Sequence, residues 1–301
     1  MEDDENSCRV MGKERGRRKV LFPMNFSFLL LYRDLLIALN NPRHSAYRFD
    51  LDDTMPLVVP GMTSNARTSG GKPRILVVLT SHNKLGVTED AKPVTGWYLP
   101  ELAHPYYVLK DKYEMIFASP LGGAAPVDKS SVESFKEDKE CVEFLEQGKP
   151  LYENTQKLGD FLGHSNDYVA LFIPGGHGPV FDLTENRECQ FLVREFWDAD
   201  KVVAAVCHAP AVLSQVRMSD GTFFVKGKRM TNFTDEEERL VGLEKAVPFL
   251  GETRLKERGA VFSKADKAWG EHVVVDGKLM TGQNPGSARA LGEAIDKALS
   301  A

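Results

Sequence analysis

Cysteine is scarce in this chain of 301 residues: Cys8, Cys141, Cys189 and Cys207 are scattered along its length. Four so dispersed cannot build a disulfide framework, and no CxxC pair or Cys/His cluster has the spacing of a zinc site. Free thiols in a reducing compartment are the expectation, and the cytoplasm the expected location. Long apolar runs are also lacking. The longest, FSFLLLYRDLLIAL over 26–39, contains Arg33 and Asp34 and falls short of the ~20 apolar residues that a bilayer crossing needs. A membrane partner is therefore not expected. The basic patch Lys13–Lys19 precedes that run as in a targeting segment, but the acidic start MEDDE and the want of a small-residue cleavage site argue against one. Nor is there a large basic block. Lys plus Arg number 38 against 43 Asp plus Glu, a net charge of −5, which disfavours nucleic acid as a partner and favours a small molecule.

What is present is ordinary globular material, 42% hydrophobic and 27% charged, enough for a sizeable core. Two regimes divide it. Residues 1–72 read as an irregular, poorly ordered extension ending in the linker-like PGMTSNARTSGGKP, and 73–301 as one α/β domain. Within the second regime, RILVVLT (74–80), YEMIFAS (113–119), YVALFIP (168–174) and KVVAAV (201–206) are short branched-apolar runs typical of buried parallel strands. Helical spacing appears over 96–112, 186–198, 235–242 and 287–299, a charged helix-prone insertion over 131–162, and a hairpin over 272–282 about Asp276-Gly277. Alternating strands and helices predict a three-layer, flavodoxin-like, mostly parallel sheet with helices on both faces. Its ligand crevice lies beyond the carboxyl ends of the strands.

Two motifs fall at such ends. In VVAAVCHAPAVL a buried strand runs directly into Cys207 and a helix-compatible run follows. This sequence places the thiol at a nucleophile elbow, with the next helix's amino terminus expected to draw it toward thiolate. The amide of the adjacent His208 is positioned to meet an oxyanion. PGGHGP (174–179) follows the preceding strand, and its glycines allow close backbone approach to a ligand. Taken alone, Glu101 reads as a solvated helix glutamate and TDEEE (234–238) as a solvated, well-capped helix start.

Together, TGWYLPE, PGGHGP, AVCHAP, NFTDEEE and TGQNPGS, in that order, resemble the ThiJ/PfpI superfamily, a relative of class I glutamine amidotransferases. The branch they are most similar to is that of the glutathione-independent glyoxalases, also called glyoxalase III or D-lactate dehydratases. The resemblance runs from about Arg74 to Ala298. It implies Cys207 as nucleophile with His208 beside it and Glu101 against the sulfur. It implies Glu238 as the acidic third member, Glu237 remaining the alternative. It also implies Gly176 as oxyanion donor beside the His208 amide, with His177 lining the pocket. The implied reaction converts methylglyoxal, a small dicarbonyl, to D-lactate, with no cofactor and with homodimerisation as a family expectation. Metal-binding relatives use a His-Glu-His set near the first helix; here only His104 stands there, so no metal is expected. The same cysteine also suits a stress-associated holding chaperone or redox sensor, or a protein deglycase or amidase.

Overall fold

The computed structural model describes residues 71–88 and 94–301. Cys8, the apolar segment 26–39 and nearly all of the expected 1–72 extension lie outside these residues. The elements run β1 (Arg74–Val78), α1 (Leu99–Leu109), β2 (Glu114–Ser119), α2 (Lys129–Ser134), α3 (Lys139–Gln147), α4 (Lys149–Glu153), β3 (Gln156–Lys157) and β4 (Ala170–Ile173). They continue with α5 (Gly178–Asp182), α6 (Arg187–Asp198), β5 (Val202–Val206), β6 (Arg229–Met230), α7 (Asp235–Leu240), α8 (Gly251–Glu257), β7 (Val261–Phe262), β8 (Val273–Asp276), β9 (Leu279–Gly282) and α9 (Ala288–Leu299).

Seven strands form one sheet in the order β3-β2-β1-β4-β5-β9-β8, parallel except for β8, which is antiparallel to β9. The predicted α/β architecture holds, and so does the hairpin that closes the sheet. The branched runs become central strands because both faces are covered: Leu76, Phe172, Ala204 and Val206 have no exposed surface. The core lies in two layers, one on each side of the sheet. On one side α1 and α9 pack on each other so closely that a Cβ at Gly292 would come within 2.9 Å of Pro105 Cα. On the other side α6 covers β4 and β5 through Leu192, Val193 and Phe196.

The helix-prone insertion 131–162 resolves into α2, α3 and α4 followed by β3 and a 3-10 turn over Leu158–Phe161, because Asp128 and Asp138 each cap a new start. Two expectations change. The run after Cys207 forms a 3-10 helix, Ala209–Gln215, with Pro210 in its first turn. The TDEEE start is not solvated: Thr234, Asp235, Glu237 and Glu238 are all buried.

Candidate active site

The carboxyl ends of β4 and β5 lie side by side, Ile173 opposite Ala205, so the loops that leave them meet at one edge of the sheet. At the end of β5 the chain turns so sharply that Cys207 takes φ = 60°, a left-handed conformation that costs a non-glycine residue about 1–3 kcal/mol. The turn is held from both sides: the Cys207 amide donates to Gly282 O at 2.9 Å, and its carbonyl accepts from the Phe233 amide at 2.8 Å. At the end of β4, Gly175 and Gly176 pass so near the elbow that side chains are excluded. A Cβ on Gly175 would collide with Glu101 Oε2 and Val206 O and come within 2.8 Å of Cys207 Cβ. Gly176 has φ = 95°, and a Cβ there would collide with Gly96 O.

Around this edge the structure assembles the predicted residues. Cys207 Sγ lies 3.2 Å from His208 Nδ1, and His208 Nε2 lies 2.6 Å from Glu238 Oε2. Glu238 and not Glu237 therefore faces the imidazole. Glu237 is occupied elsewhere: it forms the capping box with Thr234 and accepts from the Trp269 amide, Gln283 Nε2 and Asn284 Nδ2. One residue further round α7, Glu238 points the other way, into the site. Its second oxygen, Oε1, lies 2.8 Å from His177 Nε2, so one carboxylate serves two imidazoles whose ring centroids are 4.0 Å apart. This shared carboxylate is not visible in the sequence, where His177 has no stated partner. Phe233 stacks on the far face of His208 at 4.5 Å, and Trp269 meets Phe233 edge-on at 5.4 Å. Neither aromatic belongs to a pattern from which sequence reasoning could have chosen it.

The electrostatics follow from burial. Glu238 would be raised by its burial alone, but His208 and His177 outweigh that and hold it well below the usual carboxylate range. It is thus ionised, and each histidine presents an Nε2–H to it, which leaves His208 Nδ1 as a lone pair facing the sulfur. Burial, helped by nearby His177 and opposed by Glu238, pushes His208 down, so it is neutral at rest. Glu101 is wholly buried, and its oxygens find no partner at full hydrogen-bonding geometry. They face the Cys207 thiol and the amides of Gly175 and Gly176, contacts too imperfect to offset burial, which pushes the carboxyl up to about 8. The Cys207 thiol is likewise raised, first by burial and then by Glu101, with only the Gly176 amide acting in the opposite direction. The expected thiolate is therefore corrected to a resting neutral thiol. The sulfur is buried against a carboxyl, and the short 3-10 helix behind it does not compensate.

These groups form one end of a cavity of ≈ 470 Å³, walled by Tyr98, Val94, Leu243, Phe233 and Trp269. That volume suits a small organic ligand. His177, His208 and Glu238 also have ligand atoms within 4.8 Å of one another, as do His104, Asp138 and Cys141, none of which lines the cavity.

Known proteins resemble this chain over most of the described fold. The family model described as DJ-1/PfpI matches residues 101–298. Glyoxalase 3 of Candida albicans is 32% identical over 224 residues, 71% of this chain and 93% of the relative. The crystal structure of glyoxalase III from Candida albicans superposes with a TM-score of 0.66 at 31% identity, covering 75% of this chain and 97% of that one. Rapid Encystment Protein 24 KDa of Francisella tularensis superposes with a TM-score of 0.70 at 35% identity, over 75% and 99%. With the elbow, the glycine loop and the buried glutamate all falling within that shared fold, the chain belongs to the DJ-1/PfpI family.

Proposed function

We propose that this protein is a glutathione-independent glyoxalase, a cysteine-dependent lyase that converts methylglyoxal and water to D-lactate. The observation that carries the reading is the hydrogen-bonded series Cys207 Sγ, His208 Nδ1, His208 Nε2, Glu238 Oε2 at 3.2 and 2.6 Å, at the floor of a small cavity. Kinship with glyoxalase 3 of Candida albicans supports the choice of reaction.

In this mechanism His208 Nδ1 takes the thiol proton as the sulfur adds to the aldehyde carbon of methylglyoxal. Generating the thiolate only at that moment removes the penalty of a standing buried anion. The resulting oxyanion is met by the amides of Gly176 and His208, neither of which donates to a backbone carbonyl among the described residues. A histidine then removes the proton from the former aldehyde carbon and delivers it to the neighbouring carbon through an enediol, which leaves a thioester on Cys207. His177 is the second candidate for that transfer, because it shares Glu238 with His208 and borders the cavity. Water hydrolyses the thioester, returning the thiol proton and releasing lactate. Glu101, neutral below about pH 8, presents its carboxyl to the sulfur and assists these proton transfers.

The sensor reading is weaker on one specific ground. Oxidation of a cysteine to the sulfinic state favours exposed thiolates, whereas Cys207 is a buried thiol with a raised pKa. A working free thiol suits reducing surroundings, and on that ground the cytoplasm is the location we propose. No helix among the described residues is long and apolar enough to cross a membrane. The deciding experiment is glutathione-free conversion of methylglyoxal to D-lactate by the purified protein alongside Cys207→Ala. Turnover that the variant lacks is expected; a Cys207→Ala protein that keeps substantial turnover overturns the mechanism.

A further inference from the structure

On the face of α1 turned toward α3, outside the catalytic cavity, three different metal-ligating side chains converge. His104 is near the middle of α1, Asp138 is the N-cap of α3 and Cys141 lies in its first turn. His104 Nε2 is 3.0 Å from Asp138 Oδ2 and 3.8 Å from Cys141 Sγ, and all three ligand atoms lie within 4.8 Å of one another. We propose that His104, Asp138 and Cys141 form a binding site for a borderline-soft divalent cation of the zinc class.

The spacing is close to what the ion demands. Around tetrahedral zinc, imidazole nitrogen and thiolate sulfur lie about 3.6 Å apart, and nitrogen and carboxylate oxygen about 3.4 Å. The observed 3.8 and 3.0 Å therefore need adjustments of only a few tenths of an ångström. Asp138 is also held in the right pose. Its other oxygen, Oδ1, accepts the Cys141 amide at 2.9 Å as the helix cap, so the two oxygens have separate tasks and the cap orients the ligand. One sulfur, one nitrogen and one oxygen suit Zn²⁺ or its chemical neighbours, and give magnesium or calcium, which need several oxygens, too few donors. The Cys141 side chain is buried, while the His104 and Asp138 side chains are 15% and 32% exposed, so the fourth position opens to water. On binding, the Cys141 thiol releases its proton to solvent, the His104 proton moves from Nε2 to Nδ1 so that the neutral imidazole coordinates through Nε2, and three protein–metal bonds replace the S–H bond and the His104–Asp138 hydrogen bond. The ion would tie α3 to α1, the helix that carries Glu101 one turn before His104.

The test uses the full chain with Co²⁺ as a spectroscopic probe and Zn²⁺ as competitor. Co²⁺ is expected to give a thiolate-to-cobalt charge-transfer band that Zn²⁺ abolishes. Cys207→Ala, which removes the active-site thiol, should keep the band, and Cys141→Ala should lose it. Asp138→Asn retains the helix cap and hence the fold, yet should weaken Zn²⁺ binding by more than about 100-fold. The thermal midpoint of the wild type should rise with added Zn²⁺ and that of Asp138→Asn should not. A band absent from the wild type, a band that survives Cys141→Ala, or equal Zn²⁺ affinity in Asp138→Asn overturns the proposal.

Discussion

Glu101 concentrates the chemistry of this site in one residue. A carboxyl with no exposed surface and no well-formed hydrogen bond holds its proton up to about pH 8. Below that pH it is a neutral partner to the sulfur; above it, a second negative charge opposes formation of the thiolate. The kcat/KM profile of the wild type should therefore fall through about pH 8, and Glu101→Gln, which cannot titrate, should lose that limb; a limb unchanged in the variant refutes the assignment. Stability should report the same proton with a determined sign. The folded pKa is raised, so folding holds the proton more tightly than the unfolded chain, and the native state loses stability as pH rises from about 4.5 toward 8. Glu101→Gln escapes that loss. In denaturant unfolding its advantage over the wild type should grow across this window to the order of a few kcal/mol and vanish at lower pH. Glu238 behaves in the opposite way: held ionised by two histidines, it stabilises the imidazolium that forms as the thiol is deprotonated. Glu238→Gln keeps the shape but not the charge, and kcat should fall about 100-fold or more; a fall of less than tenfold would show that His208 acts without it. The sequence alone ranked neither glutamate. A glutamate on a helix is usually solvated, and nothing local to TDEEE separates the one that caps α7 from the one that faces His208. Only the shared family motifs pointed to them.

Among the elements, the strands were legible because central parallel strands carry their burial in their composition: RILVV, ALFI and VVAAV need no partner information to be recognised. The short pieces were not. β3, β6 and β7 contain two residues each, and α8 is an unmarked GETRLKE, so their existence depends on tertiary contacts: β3 on pairing with β2, β6 on pairing with β7, and α8 on Leu255 in the core. The 3-10 geometry after Cys207 is likewise an effect of context: Asn232 accepts the Ala211 amide, an outside partner that competes with regular helical bonding. The loop leaving β4 shows how closely element positions are coupled to chemistry. Gly175 packs against the Glu101 carboxyl, the Val206 carbonyl and the Cys207 side chain, with no room for a methyl group. Gly175→Ala should thus push β4 away from the elbow, lowering stability by roughly 1–3 kcal/mol through overpacking. The distance from sulfur to His208 should open as well, with a loss of turnover larger than the loss of folded protein. Measured side by side, an activity decrease that only matched the folded fraction would mean that the loop tolerates the shift.

At the scale of the whole molecule, the site is a product of sheet topology. Glu101, Gly176, Cys207 and Glu238 come from positions spread over more than a hundred residues. They meet because β4 and β5 are neighbours in the parallel sheet, α1 covers one end of it, and α7 returns to the elbow. Among the described residues, those that line the cavity lie between Leu85 and Pro285, and those that fill the two core layers run from Ile75 onward. The described sheet, its covering helices and the described site draw on residues from 71 onward, and a chain beginning at Gly71 is expected to fold and convert methylglyoxal with the kcat/KM of the full-length protein. This expectation agrees with the glyoxalase of Candida albicans, 93% of whose length is matched by 71% of this chain. The comparison requires both chains to be assayed at equal folded concentration, checked by far-ultraviolet circular dichroism. Equal kinetics would place the catalytic machinery wholly in the α/β domain. A truncated chain that folds but turns over poorly would overturn that expectation.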